Sequence, residues 1–93
     1  MDIEFGSFVW DRDKEIDNVR KHGIGFADAA GVFADPRRVI IDDHSHSAFE
    51  RRFFCVGLVR QRIVTVRFVY RGERIRIYGA GYWRKGREAY EGS

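Results

Sequence analysis

The sequence predicts an α+β fold, a twisted antiparallel sheet with two N-terminal helices packed on it and a short C-terminal helix. Two observations carry this. Helical apolar spacing is confined to residues 12–35, whereas residues 38–80 read as successive strands broken by turn signals. Helix runs followed by strand runs segregate into a helical layer on an antiparallel meander. The 93 residues hold one proline and no repeat or low-complexity stretch, so a single domain over 1–93 is expected.

The elements follow in order. "SFVWD", residues 7–11, is a short extended lead-in. Asp11 is a helix N-cap, because its carboxylate accepts from the free N–H groups of the first turn. The helix runs from Arg12 to His22, with Ile16, Val19 and the stem of Arg20 expected inward. Arg20, Lys21 and His22 complement the carbonyl end, and Gly23 supplies the left-handed stop. "GFADAAGVFAD" reads as a second helix with Phe26, Ala29, Ala30 and Phe33 as its apolar stripe, ended by Asp35-Pro36. Strands are expected over 38–42, 52–59, 62–70 and 73–80. A polar loop, "DHSHSAFE", separates the first two, and a helix over 85–91 closes the chain.

Composition narrows the function classes. No apolar run approaches a bilayer-spanning length and no leader-like segment opens the chain. The lone Cys55 lies in "RFFCVGLV", where a buried small side chain is expected. A cytoplasmic setting follows. The net charge of +3 is unevenly spread: residues 1–50 carry 6 Lys/Arg and 11 Asp/Glu, and residues 51–93 carry 11 and 3. A basic half suits a polyanion or an acidic protein partner, unless folding pairs the two halves.

The last hairpin places the arginines. With Arg71-Gly72 as a two-residue turn, Val69 faces Arg74, Phe68 faces Ile75, Arg67 faces Arg76 and Thr65 faces Tyr78. Phe68, Ile75, Val66, Ile77 and Val64 then form a core face, and Arg67, Arg74, Arg76 and Tyr78 share the other. Directly opposed arginines repel by some tenths of a kcal/mol, which a bound anion reverses. A turn at Arg60-Gln61 adds Arg52 to that face. "GYWRK", residues 81–85, brings Tyr82, Trp83, Arg84 and Lys85, rings that stack bases beside cations that track phosphates.

"FVWDRDKEIDNVRKHGIGFADAAGVFADP" resembles the opening of the BrnT family of type II toxins. The resemblance runs through Trp10-Asp11, Asn18, Lys21-His22-Gly23, Phe26, Ala29-Ala30, Val32-Phe33 and Asp35-Pro36. It continues through His46-Ser47, "ERRF" at 50–53, Gly57 and "RGERIRI" at 71–77. The order and spacing of these short matches are more specific than any one of them.

The resemblance implies a RelE-like toxin fold and an RNA-cleaving toxin that halts translation. It also implies neutralisation by a ribbon-helix-helix (BrnA-like) antitoxin, with promoter DNA bound only through the antitoxin complex and no membrane partner. Many members end the last strand in Ser-Ala-Arg; here Gly79-Ala80-Gly81 stands instead, so that arginine's role does not carry to Gly81.

Metal-free RNA cleavage uses the 2′-hydroxyl as nucleophile and needs a base, cations on the phosphorane and an acid for the 5′-oxygen. Arg67 and Arg76, helped by Arg52, are expected to clamp the phosphate. Tyr78 or a histidine of the 44–46 loop, His44 among them, serves as acid or base. Lys21 and His22 form either a second functional corner or only a helix stop. Trp83, with Tyr82, Arg74, Arg84 and Lys85, is expected to bind RNA. No cofactor is expected, and the short loop bearing His44 and His46 supplies too few constrained ligands for a metal. Two other classes remain open: a gyrase poison of the ParE branch, and an RNA-binding domain without catalysis.

Overall fold

The structure, a computed structural model, describes residues Met1–Ser93. A hairpin of β1 (Asp2–Phe5) and β2 (Phe8–Asp11) opens the chain, turning at Gly6 with φ 59°. Helix α1 (Arg12–His22) follows directly. Asp11 caps it by accepting from Lys14 N, and Gly23 ends it at φ 74° with its N–H on Val19 O. Both helix ends are therefore where the sequence puts them.

The second helix is shorter than expected. α2 covers Phe26–Ala29 and tightens into a 3-10 turn over Ala30–Ala34. The tight turn brings Val32 against β4, where a Cβ on Gly57 would lie 2.8 Å from the Val32 carbonyl oxygen. The remaining strands are β3 (Val39–Asp42), β4 (Phe53–Val59), β5 (Arg62–Arg71) and β6 (Arg74–Gly81), and α3 (Arg84–Glu91) closes the chain.

All six strands form one sheet in the order β1-β2-β6-β5-β4-β3. The sheet is mixed rather than wholly antiparallel, because β2 runs parallel to β6 at Phe8↔Ile75 and Val9↔Arg76. The helices divide between its faces. α2 and the 3-10 turn cover the face of Cys55, Val64, Val66, Phe68 and Ile77, closing a core with Trp10, Ile24 and Phe26. α3 lies on the opposite face, its buried Gly86 against Thr65 and Val56.

Two expected packings are corrected. Ile16 and Val19 do not face the core; they are 56% and 46% exposed, and only Asn18 of α1 is buried. The reason lies in how α1 docks. β6 runs past the end of β2, and the Asn18 amide takes the place of the missing strand. Its Nδ2 donates to Ala80 O at 3.0 Å and to Ile24 O at 2.9 Å, and its Oδ1 accepts from Ala80 N at 3.1 Å. α1 thus rests on the sheet edge through a polar tie, not through an apolar stripe.

The last hairpin turns at Gly72-Glu73, not Arg71-Gly72, since Arg71 pairs with Arg74. Gly72 takes φ 59° at the first central position, the place a two-residue type II′ turn reserves for glycine. The register moves by two as far as Phe68↔Ile77 and by three beyond it. Arg76 faces Val69, and Arg67 faces Gly79, so the two arginines are not opposed. Tyr78 is the extra residue between the pairs Phe68↔Ile77 and Arg67↔Gly79, a bulge that re-aims its side chain.

Candidate active site

The α3 face of the sheet is only partly covered, and a cleft opens beside that helix. A row of partners, Ile41 on β3, Phe54 on β4, Arg67 on β5 and Gly79 on β6, crosses its floor. Gly79 leaves room for the Arg67 stem, since a Cβ there would sit 3.3 Å from Arg67 Cδ. Gly81 does the same for Trp83, whose Cζ2 would be 2.8 Å from a Cβ at 81. Arg67 and Trp83 therefore lie flat on backbone rather than standing off it.

Two cavities meet at these side chains. One of about 350 Å³ is lined by Ile41, Phe54, Val56 and Thr65, with His46, Lys85, Arg67 and Trp83 as polar or aromatic members. The other, about 190 Å³, lies between α1 and β6. It is lined by Lys14, Lys21 and His22 together with Arg67, Tyr78 and Trp83. The His22 ring meets Trp83 edge-on at 5.2 Å between centroids. Arg52 and Arg67 approach the Tyr78 ring, their Cζ atoms 4.7 and 5.2 Å from its centroid. The turn at Arg60-Gln61, with φ 49° and 70°, gives β4 the register that brings Arg52 to this face, as expected.

Folding pairs much of the uneven charge. Asp2 holds Arg76, Glu4 holds Arg74, Asp28 holds Arg60, Asp42 holds Arg51 and Glu50 holds Arg71. The hydrogen bond from Arg76 keeps the Asp2 carboxyl below its usual range, and Asp2 in turn raises Arg76. Arg52, Arg67 and Lys85 have no carboxylate within 4 Å; Arg67 and Lys85 line the larger cavity, and Arg52 lies over the Tyr78 ring. Arg67 Nε and the Tyr78 hydroxyl are buried and make no hydrogen bond within the protein. Buried donors without partners are uncommon, and these two border the cavities.

Several expected site residues lie elsewhere. Arg76 and Arg74 are engaged by β1, which the sequence reading did not include. Arg84 is 83% exposed and faces Glu88. Tyr82 is turned the other way, under Arg62 at 3.6 Å. His44 is exposed and outside both cavities, whereas His46 lines the larger one. Arg52, Arg67, Tyr78, Lys21, His22, Trp83 and Lys85 are brought together. No three His, Cys, Asp or Glu side chains converge to hold a metal ion.

The profile for "Ribonuclease toxin, BrnT, of type II toxin-antitoxin system" matches residues 10–86. The chain belongs to the BrnT family. No match was found among curated protein sequences. The BrnT match spans α1 through the start of α3 and so includes both cavities. Membership implies a ribonuclease toxin with a cognate antitoxin. No helix is long and apolar enough to cross a membrane. In this BrnT toxin the glycine at 81 has a steric role: it seats Trp83, and any side chain there would displace the ring.

Proposed function

We propose that this BrnT toxin cleaves RNA at the cleft centred on Arg67, without a metal ion, and thereby stops translation in the cytoplasm. A cognate ribbon-helix-helix antitoxin neutralises it, and promoter DNA is reached only through that complex. The whole chain acts as one toxin domain of RelE-like arrangement. The observation that carries the reading is Arg67, a half-buried arginine without a carboxylate partner at the meeting point of two cavities.

The chemistry follows from the groups present. A guanidinium binds phosphate through paired N–H donors and stays charged at any cellular pH. Arg67, with Arg52 behind Tyr78, neutralises the charge that builds on phosphorus as the 2′-oxygen attacks. In the smaller cavity the Tyr78 hydroxyl, Lys21 and His22 stand where a leaving 5′-oxygen would take its proton. Trp83 and Phe54 offer apolar surface to a base.

The test is cleavage of an end-labelled RNA by the purified chain, alone and on translating ribosomes, with and without EDTA. Expected are 2′,3′-cyclic phosphate and 5′-hydroxyl ends in both buffers. EDTA-sensitive cleavage would remove the metal-free mechanism. Intact RNA under every condition, with gyrase-dependent DNA breaks in its place, would remove the nuclease reading.

A further inference from the structure

The loop between β3 and β4 holds a second pair of groups that the clamp does not use. Asp43 is 3% exposed, and its carboxylate accepts from His46 Nδ1 at 2.9 Å and from Ser45 Oγ at 3.0 Å. The loop is wound tightly around it: Asp43 N donates to Arg52 O at 2.8 Å, Ser47 Oγ donates to Asp43 O at 2.6 Å, and Arg52 N donates to Ser47 Oγ at 2.9 Å. An ionised carboxylate only accepts, so His46 Nδ1 carries the proton and Nε2 keeps its lone pair. The same ring lines the larger cavity with Arg67, Trp83 and Lys85. His46 is the only basic side chain within 4 Å of the Asp43 carboxylate.

We propose that His46, positioned by Asp43, is the general base of this ribonuclease. The inference rests on the reading of the cleft as a nuclease site. His46 Nε2 takes the proton of the 2′-hydroxyl, and the 2′-oxygen forms its bond to phosphorus. The bond from phosphorus to the 5′-oxygen breaks, and that oxygen is protonated from the smaller cavity. The imidazolium that forms is stabilised by the buried Asp43 carboxylate, while Arg67 and Lys85, facing it from β5 and α3, oppose its charge and favour return of the proton. Asp43 is a positioning residue, since it fixes the tautomer and ring orientation without meeting RNA.

The test compares the wild-type chain with His46→Gln and Asp43→Asn over pH 5 to 8.5. It measures kcat/KM on a ribo-oligonucleotide and follows the His46 ring by NMR. The wild-type rate should climb with pH along a limb whose midpoint equals the NMR titration midpoint of His46. His46→Gln should lose about 10²–10⁴-fold and the limb with it, the range for removing a general base. Asp43→Asn removes the charge that favours imidazolium, so the limb moves to lower pH, the rate falls and the Nδ1-protonated tautomer loses its dominance. A wild-type limb that does not follow His46 overturns the proposal even if a variant fails to fold. So does a folded His46→Gln that cleaves like the wild type. A wild type that cleaves no RNA overturns the nuclease reading itself, and the two failures are told apart by the wild-type lane alone.

Discussion

Replacing Asn18 with alanine should be among the most damaging single changes in this chain, and the expected size comes from its bonds. The amide makes three hydrogen bonds, two donated to Ile24 O and Ala80 O and one accepted from Ala80 N, all buried. Alanine leaves those three backbone groups without this partner, two on β6 and one in the segment after α1. With about 1 kcal/mol lost per bond, and more where the orphaned group stays dry, Asn18→Ala should cost about 3–4 kcal/mol. At roughly 4–8 °C per kcal/mol for a domain of this size, the melting temperature should drop by about 12 °C or more. Urea titration with an unchanged slope measures the free energy directly. Asn18→Asp separates the hydrogen-bond argument from simple volume. Its carboxylate accepts from Ala80 N but confronts two carbonyl oxygens, so its pKa in the folded state should rise above the ordinary value of about 3.9. A group so raised stabilises below its folded pKa and destabilises above it. The variant should therefore regain stability relative to wild type as the pH falls from 7 towards 4. A loss below about 1 kcal/mol for Asn18→Ala, or a pH-independent Asn18→Asp deficit, would refute the edge-capping account.

Five further outcomes are expected. Arg67→Ala should lower RNA cleavage by about 10²–10³-fold, as removal of one transition-state donor does. Arg76→Ala, which breaks an exposed pair with Asp2, should cost at most about 1 kcal/mol in a melt and affect cleavage far less. Gly86→Ala places a Cβ 1.9 Å from Thr65 Oγ1. It should destabilise by about 1–3 kcal/mol, and Thr65→Ala in the same chain should restore part of the loss in a double-mutant cycle. The Asp35 carboxyl is held below its ordinary 3.8 by the Tyr90 hydroxyl and by the N–H groups of Arg37 and Leu58. Its contribution is present above that value and fades as pH falls through the lowered folded one, so Asp35→Asn should flatten the acid end of the stability profile below about pH 4. Burial pushes the Cys55 thiol up to about 12, so a thiol reagent at pH 8 should label it only as the chain unfolds.

The parts of the molecule legible in the sequence are those set by local rules. Asp11 and Gly23 bound α1 because a carboxylate cap and a left-handed glycine act within one turn. The alternation of β5 puts Arg67 opposite the core face whatever its partner, so the error in the last register left its face unchanged. Arg76 was misread because its partner is remote in the chain. Asp2-Ile3-Glu4-Phe5 alternates with period two and is followed by Gly6, a signal for the first hairpin, but only the sheet order brings Asp2 beside Arg76. Asn18 carries no local sign of its task, since a buried polar residue on a short helix looks like a break in an apolar stripe. The Asp43–His46 pair was half visible: an acid three residues before a histidine can share one tight turn, yet nothing local says that His46 and not His44 meets the cleft.

The cleft owes its shape to missing side chains as much as to present ones. Gly79 lets the Arg67 stem cross the sheet at backbone height, and Gly81 lets the Trp83 ring do the same one row along. Gly86 lets α3 approach Thr65 closely enough to wall the larger cavity. A β-carbon at 79 or 81 would lift the guanidinium or the indole into the space they border, and one at 86 would push the wall away. The bulge at Tyr78 completes the arrangement, since it sets the ring below Arg52 and Arg67. The acidic residues of the first half hold the outlying arginines through Asp2, Glu4, Asp28, Asp42 and Glu50. Arg67 and Lys85 at the larger cavity, and Arg52 over the Tyr78 ring, are not held in this way. On the proposed reading, a phosphate bound in the cleft would meet guanidinium and ammonium groups that no carboxylate competes for, beside Tyr78 and His46.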